Sequence, residues 1–109
     1  MNAERLRELI DRYAKADIEN DIESDYFWKE SFKILSINLN ETIIYLDSIN
    51  AEYLFYIRSI FDDLSDYFQS SELIECMERN VIRTGVDCSV DIEYAKKAMS
   101  KTSNKVPLS

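Results

Sequence analysis

The side chains with the most evident chemistry in this chain are three closely spaced aspartates. Asp62, Asp63 and Asp66 follow Ser59 within one predicted helix, and at about 100° per residue they point away from its apolar stripe. Paired carboxylates perform acid–base catalysis when one has a raised pKa, and they bind a divalent cation when other ligands complete the shell. The neighbouring sequence offers mostly further carboxylates, with Arg58 as the adjacent cation. Catalysis is therefore not our leading interpretation.

The amino-acid composition excludes most other kinds of catalytic site. The 109-residue chain contains no histidine, which excludes Ser–His and Cys–His nucleophile systems and nearly all zinc and di-iron sites. Two cysteines, Cys76 and Cys88, cannot complete a tetrahedral zinc site by themselves. We expect both to be reduced thiols, with Cys76 buried and inert. The sequence thus predicts a protein that is not an enzyme and that binds no metal and no cofactor.

A protein-binding surface is the interpretation we favour for the same helix. Phe55 is predicted to lie on its acidic side, one and two turns before Ser59 and Asp62. An aromatic residue beside carboxylates is typical of a binding hot spot with a polar surround. Two alternatives remain open: the acids form a solvated face, or Phe55 packs under a neighbouring helix. The predicted partner-binding residues are Glu52, Phe55, Ser59, Asp62, Asp63 and Asp66.

Negative charge is concentrated in the middle of the chain. The net charge is −8, and residues 41–79 carry nine acids and two arginines, a local charge of −7. Residues 80–109 have five bases and three acids. This balance disfavours binding to nucleic acid or to anionic lipid, and it attracts a basic protein.

The elements that must position these residues are helices. Apolar side chains recur at helical spacing over residues 3–16, and the acidic segment 17–25 is predicted to form a short helical turn. Ser24 or Asp25 then caps a second helix. Its expected buried stripe is Trp28, Phe32 and Leu35, and at least two of the three adjacent aromatics Tyr26, Phe27 and Trp28 are expected in the core.

Capping residues mark the later helices. Gly85 stands where a helix end needs a left-handed residue. The predicted caps are Asn40 for a third helix, Asn50 for a fourth over residues 51–68, Ser70 for a fifth over residues 71–83, and Asp87 or Ser89 for the last. The expected buried residues are Ile43, Ile44, Leu46 and Ile49 of the third helix, Tyr53, Ile57, Ile60, Phe61, Leu64 and Phe68 of the fourth, and Val90, Ile92, Tyr94, Ala95, Ala98 and Met99 of the last.

Short connections between these helices predict an all-α fold, a compact antiparallel array of five or six helices. The chain has one glycine and one proline, which argues against an all-β fold or a nucleotide-binding α/β fold. We predict a single helical domain over residues 1–99 and a flexible polar tail over residues 100–109. The charged start and the lack of a long apolar run lead us to expect a cytoplasmic protein with no membrane partner.

Four segments resemble the helical immunity proteins of bacterial polymorphic toxin and contact-dependent growth inhibition systems. The resemblance covers about residues 28–99. The segments are Glu41-Thr42-Ile43-Ile44-Tyr45-Leu46-Asp47, then Glu52-x-Leu54-x-Tyr56-x-x-Ser59-Ile60-Phe61-Asp62-Asp63, then Ser71-Glu72-Leu73-Ile74-Glu75-Cys76-Met77, and Asp91-Ile92-Glu93-Tyr94-Ala95-Lys96. In such systems a small cytoplasmic protein binds the toxic C-terminal domain of a secreted effector, often a ribonuclease with a basic active-site surface, and blocks it. The resemblance assigns no individual contact.

Together, the acidic segment and the resemblance predict an immunity protein. It would bind a cognate toxin domain, a basic nuclease, and cap the substrate-binding surface of that domain. The alternative is an acidic helical adaptor, or a nucleic-acid mimic, that binds another basic protein.

Overall fold

The computed structural model describes the backbone of residues 1–17 and 19–103 and the side chains of these residues up to residue 99. Within these residues every regular element is helical. The elements are α1 (Ala3–Lys15), α2 (Asp21–Leu35), α3 (Leu39–Ser48), α4 (Ala51–Ile57), a 3₁₀ turn (Arg58–Ile60), α5 (Phe61–Phe68), α6 (Ser71–Thr84) and α7 (Ser89–Ser103). Because α4, the 3₁₀ turn and α5 follow one another without a break, they form one continuous rod. The predicted all-α array of five or six helices is confirmed.

Side-chain caps begin five of these helices. Asn50 accepts a hydrogen bond from the amide of Tyr53, and Ser70 accepts one from the amide of Leu73, as predicted. Each cap satisfies a backbone donor that has no partner inside the helix. Asn2 caps α1 in the same way.

The second and third helices begin earlier than predicted. Asn20, not Ser24 or Asp25, caps α2, and Asn38, not Asn40, caps α3. Both asparagines have extended backbones, which direct the side-chain oxygen at the first free amides of the helix. Residues 21–25 are consequently the first turns of α2, where carboxylates interact favourably with the helix dipole.

Two helices end in left-handed residues. Gly85, with φ of 76°, follows α6 as predicted, since glycine has no Cβ to oppose this conformation. Gln69 adopts φ of 50° after α5 although it is not glycine. Its side-chain amide donates to the carbonyl of Asp66 at 2.8 Å. That bond satisfies one of the last free carbonyls of α5 and compensates for the backbone strain.

The core lies between three helix pairs. α5 packs along α7, α1 packs on α2, and α3 packs on α6. The small residues Ser65 and Ala95 allow α5 and α7 to approach closely, and the Ser65 hydroxyl donates to the Ala95 carbonyl at 2.6 Å. The fully buried large side chains include Leu6, Leu9, Ile10, Phe27, Leu35, Leu46, Leu54, Ile57, Ile60, Phe61, Leu64 and Leu73.

The prediction that Trp28 belongs to the core is wrong. Phe27 is only 1% exposed, whereas Trp28 is 41% exposed. The buried face of α2 is the series Phe27, Ser31 and Leu35, spaced four residues apart. Ser31 is fully buried. Because serine is polar, the sequence pattern did not indicate that these three residues form the buried face.

Two other helices bury faces that differ in part from the predicted ones. α3 buries Leu46 as predicted, together with Thr42 and Tyr45, while Ile44 is exposed. In α7, Ile92 and Ala95 are buried, while Val90 and Tyr94 are exposed.

α7 runs to Ser103, four residues beyond the predicted domain boundary. Of the predicted tail, residues 104–109 lie outside the described residues. Over the part of the chain that the structure covers, none of the helices combines the length and the apolar character needed to cross a membrane.

Candidate functional site

The outward side of α5 carries Asp62, Asp63 and Asp66, all exposed, which we call the aspartate ridge. One groove on each side of the ridge is lined by both Asp63 and Asp66. The Trp28 groove, of about 340 Å³, is lined by Trp28, Lys29, Phe32, Asp63, Asp66 and Tyr67. The Tyr94 groove, of about 330 Å³, is lined by Asp62, Asp63, Asp66, Tyr94, Lys97 and Ala98. The structure thus brings the three predicted aspartates together between aromatic side chains from α2, α5 and α7.

Asp63 lies beside two carboxylates of the same ridge. The pKa of Asp63 is raised, first because partial burial of its carboxylate penalises the charged form and then because the carboxylates of Asp62 and Asp66 repel it. Lys97 lines the Tyr94 groove, but its ammonium lies 3.3 Å from Glu93 and 5.7 Å from the centre of the Tyr94 ring. A positive group placed beside Asp63 would therefore stabilise its charged form.

Two of the described bases in the last third of the chain make contacts away from the ridge. Lys96 pairs with Glu78 at 3.3 Å, and Arg83 donates to the carbonyls of Leu46 and Ile49. The positive excess expected for residues 80–109 is thus partly used inside the fold.

Trp28 forms one wall of its groove and is held there by Ser59. The indole Nε1 donates to the Ser59 hydroxyl at 3.1 Å, and that hydroxyl donates to the Tyr56 carbonyl at 3.0 Å. Ser59 lies in the 3₁₀ turn, so this turn determines where the indole sits. Ser59 was predicted to contact a partner, which stays a prediction, and in the free protein its hydroxyl positions the aromatic wall.

Tyr67 forms another part of the same groove. Its ring is 59% exposed and meets Phe32 edge to face, with ring centres 5.7 Å apart. Phe68 contacts it from the other side at 5.1 Å. Such contacts restrict the ring to one orientation.

Phe55 does not join the aspartate ridge. It is 48% exposed, so the alternative that it packs under a neighbouring helix is wrong. The Arg58 guanidinium covers its ring at 4.4 Å and lies 3.2 Å from the Asp91 carboxylate. Phe55 lines a different groove, with Tyr13 among its walls.

The 3₁₀ turn explains this separation. A 3₁₀ helix advances about 120° per residue and an α-helix about 100°, so three such residues rotate the chain by about 60° more than predicted. This rotation turns Asp63 and Asp66, the two residues that line both ridge grooves, away from the side of the helix that carries Phe55. Glu52 is exposed in the first turn of α4 and lines neither ridge groove.

No group of three or more histidine, cysteine, aspartate or glutamate side chains is placed to hold a metal ion among the described residues. Burial raises the pKa of the Cys76 thiol to about 11, with the Asp47 carboxylate adding to the effect. Burial also raises the pKa of the Cys88 thiol to about 11. Both thiols are therefore protonated and unreactive near neutral pH.

Sequence reasoning missed Trp28, Phe32 and Tyr94 as parts of this surface. For Trp28 the signal was present, because the series Phe27, Ser31 and Leu35 places it beside the buried face of α2. For Tyr94 the short distance to α5 depends on packing between Ser65 and Ala95. No protein-family model, curated protein or solved structure matches the chain.

Proposed function

We propose that this protein is an immunity protein: a non-enzymatic inhibitor that binds a basic toxin domain in the cytoplasm and caps its substrate-binding surface. The toxin would be a nuclease, with a ribonuclease as the leading case. The single observation that carries the proposal is the aspartate ridge between two aromatic-walled grooves. The resemblance to helical immunity proteins agrees with it.

The chemistry of the ridge suits a nuclease surface. A surface that binds nucleic acid presents lysine and arginine side chains to phosphates. The carboxylates of Asp62, Asp63 and Asp66 would take the places of those phosphates. Trp28, Tyr67 and Tyr94 are exposed beside them and would supply the apolar contact area from which hot spots are built.

Charges elsewhere on the molecule support the choice of this surface. Asp47 is paired with Arg79 at 2.8 Å, and Asp91 is paired with Arg58 at 3.2 Å. These carboxylates already stabilise the fold through internal partners. Asp63 has a raised pKa instead, which identifies a carboxylate whose surroundings favour a positive partner.

The test uses the toxin domain encoded by the neighbouring reading frame, carrying an inactivating substitution. We expect a complex by calorimetry whose affinity falls as salt rises. The double variant Asp63→Asn/Asp66→Asn should lose about tenfold or more in affinity. The matched control Glu72→Gln/Glu75→Gln removes the same charge from exposed positions on α6 and should keep the wild-type value.

The result decides between the proposal and its alternative. No binding to that domain would overturn the immunity function. Ridge-dependent binding to another basic protein, such as a DNA-binding protein, would then favour the adaptor or nucleic-acid mimic. Binding without salt dependence would leave inhibition standing and remove its electrostatic mechanism.

A further inference from the structure

The fold twice places one of its own arginines between an aromatic ring and a carboxylate. Arg12 lies 4.3 Å from the centre of the Tyr26 ring and makes two hydrogen bonds to Glu23, at 2.8 and 2.9 Å. Arg58 lies 4.4 Å from the centre of the Phe55 ring and donates to Asp91 at 3.2 Å. In both cases the ring contacts the flat guanidinium while the carboxylate accepts its N–H groups.

The Trp28 groove has the same two components without an arginine of this chain. Its walls include Trp28 and Tyr67, and Asp63 and Asp66 line it as well. Lys29 is the cationic side chain among its described lining residues. At about 340 Å³ the groove lies near the lower end of the range for small-ligand sites, which suits a single side chain.

We propose that the Trp28 groove receives an arginine side chain of the partner protein, with its guanidinium against the aromatic wall and its N–H groups toward Asp63 and Asp66. The inference rests on the proposed function for the existence of a protein partner. It adds the chemical group that the site recognises and the place where that group enters.

Arginine suits this site better than lysine. Its guanidinium is planar and weakly hydrated, so it stacks on an aromatic face and donates in a fork to carboxylates at the same time. An ammonium is compact and strongly hydrated, so it gains less from an aromatic wall. The arginines at Tyr26 and Phe55 show both contacts within this molecule.

The groove is organised before any partner arrives. The hydrogen bond to Ser59 fixes the Trp28 indole, and edge-to-face contacts with Phe32 and Phe68 hold Tyr67. Side chains that are already ordered lose little conformational entropy on binding. Lys29 acts in the opposite sense, because its positive charge repels an incoming guanidinium.

Trp28 gives a direct readout, since it is the only tryptophan in the chain. The probe is N-acetyl-arginine amide, titrated into the whole protein while the indole N–H resonance of Trp28 is followed by NMR. We expect a saturable shift with a dissociation constant in the millimolar range, as a single side chain allows. The citrulline analogue has nearly the same shape and no charge, and it should cause no saturable shift.

Variants test the geometry. Asp63→Asn/Asp66→Asn should weaken arginine-amide binding by about fivefold or more, and Lys29→Gln should tighten it by about twofold. The control Glu72→Gln/Glu75→Gln should bind as the wild type does. Amide spectra of each variant verify that it is folded.

Three results would overturn the inference: no saturable shift of the Trp28 resonance, an equal response to the citrulline analogue, or equal weakening in the control variant. If the toxin domain binds with ridge dependence while the arginine amide leaves Trp28 unchanged, the inference fails and the proposed function stands. If the arginine amide binds as expected and the toxin domain does not, the proposed function fails and the groove keeps its assigned ligand.

Discussion

Two groups of carboxylates in this molecule have opposite surroundings. At the α3–α6 seam, formed by Asp47, Cys76, Arg79, Asn80 and Arg83, the Asp47 carboxylate accepts hydrogen bonds from Arg79 at 2.8 and 3.0 Å and from Asn80 at 2.7 Å. The Arg79 hydrogen bonds hold the pKa of Asp47 below its usual value. At the aspartate ridge, burial and neighbouring carboxylates raise the pKa of Asp63.

The seam is a polar network whose main donors and acceptors have internal partners. The buried Asn80 side chain donates to Asp47 and accepts from Arg83 at 2.6 Å. Arg83 in turn donates to the carbonyls of Leu46 and Ile49 at the end of α3. Satisfied networks of this kind make a fold rigid. The comparison teaches that residues of one type can stabilise the fold in one region and repel one another in a second region.

The largest expected effect concerns two adjacent aromatics, one in the core and one beside the ridge. Phe27→Ala should lower the free energy of unfolding by about 3–5 kcal/mol, because it leaves a cavity at a fully buried site. Trp28→Ala should cost less, about 2 kcal/mol, because the indole is 41% exposed and loses only part of its buried apolar area together with one side-chain hydrogen bond. Urea denaturation measures both. Similar losses in the two variants would contradict the assignment of Trp28 to the surface.

The second-largest loss of stability is expected for a substitution inside the α3–α6 seam. Asn80→Ala should lower the free energy of unfolding by about 2–4 kcal/mol, because it removes a buried side chain whose hydrogen bonds serve Asp47, the Cys76 carbonyl and Arg83. Glu75→Ala, at an exposed position of the same helix, is the control and should change stability by less than about 0.5 kcal/mol. Thermal and urea unfolding of both variants test this. A loss below about 1 kcal/mol for Asn80→Ala would remove the structural importance of the network.

A smaller difference in the free energy of unfolding is expected between substitutions of Asp47 and of Asp63. Asp47→Asn should cost about 1–2 kcal/mol, because it weakens the charge-assisted bonds to Arg79. Asp63→Asn should leave stability unchanged or raise it by a few tenths of a kcal/mol, because it removes a partly desolvated charge and then relieves repulsion from Asp62 and Asp66. The measurement is urea unfolding at neutral pH and low salt. An equal loss in both variants would abolish the distinction between seam and ridge.

The smallest effect is the pH dependence of stability, which should have opposite signs for the two residues. The folded-state pKa of Asp47 is lowered from 3.8, so its stabilising contribution is present above the unfolded pKa and is lost as pH falls through the folded pKa. The folded-state pKa of Asp63 is raised from 3.8, so its contribution is present below the unfolded pKa and is lost as pH rises through the folded pKa.

Unfolding free energies of the wild type and both variants over a pH series test these signs. Relative to Asp63→Asn, the wild type should gain stability as pH falls from neutral toward about 4. Relative to Asp47→Asn, the wild type should lose stability as pH falls below about 4. Parallel curves for the wild type and Asp63→Asn would show that the ridge carboxylate has an ordinary pKa.

Much of the fold could be predicted from local sequence because helix formation depends on near neighbours. Asn50, Ser70 and Gly85 form the predicted caps, and the apolar periodicity indicated where helices lie. The predicted helix starts and buried faces were wrong where the local sequence allowed two assignments. Asn20 and Ser24 are both good caps, and the buried Ser31 concealed the true stripe of α2.

The candidate site was only partly predictable. The three aspartates lie together because they are neighbours on one helix. Phe55 was assigned to the same surface on the assumption of a continuous α-helix, and the 3₁₀ turn at residues 58–60 rotates it away. Nothing in the local sequence of residues 58–60 distinguishes a 3₁₀ turn from an α-helical one.

By itself, the sequence determined the helical class, the starts of several helices and the strong negative charge of the central segment. Only the tertiary structure decided which carboxylates pair with arginines and which aromatic side chains lie beside the aspartate ridge. Arg79 reaches Asp47 across 32 positions of the chain, and Trp28 reaches Ser59 across 31. Helical spacing relates residues only a few positions apart, whereas these contacts depend on how whole helices pack and rotate against one another.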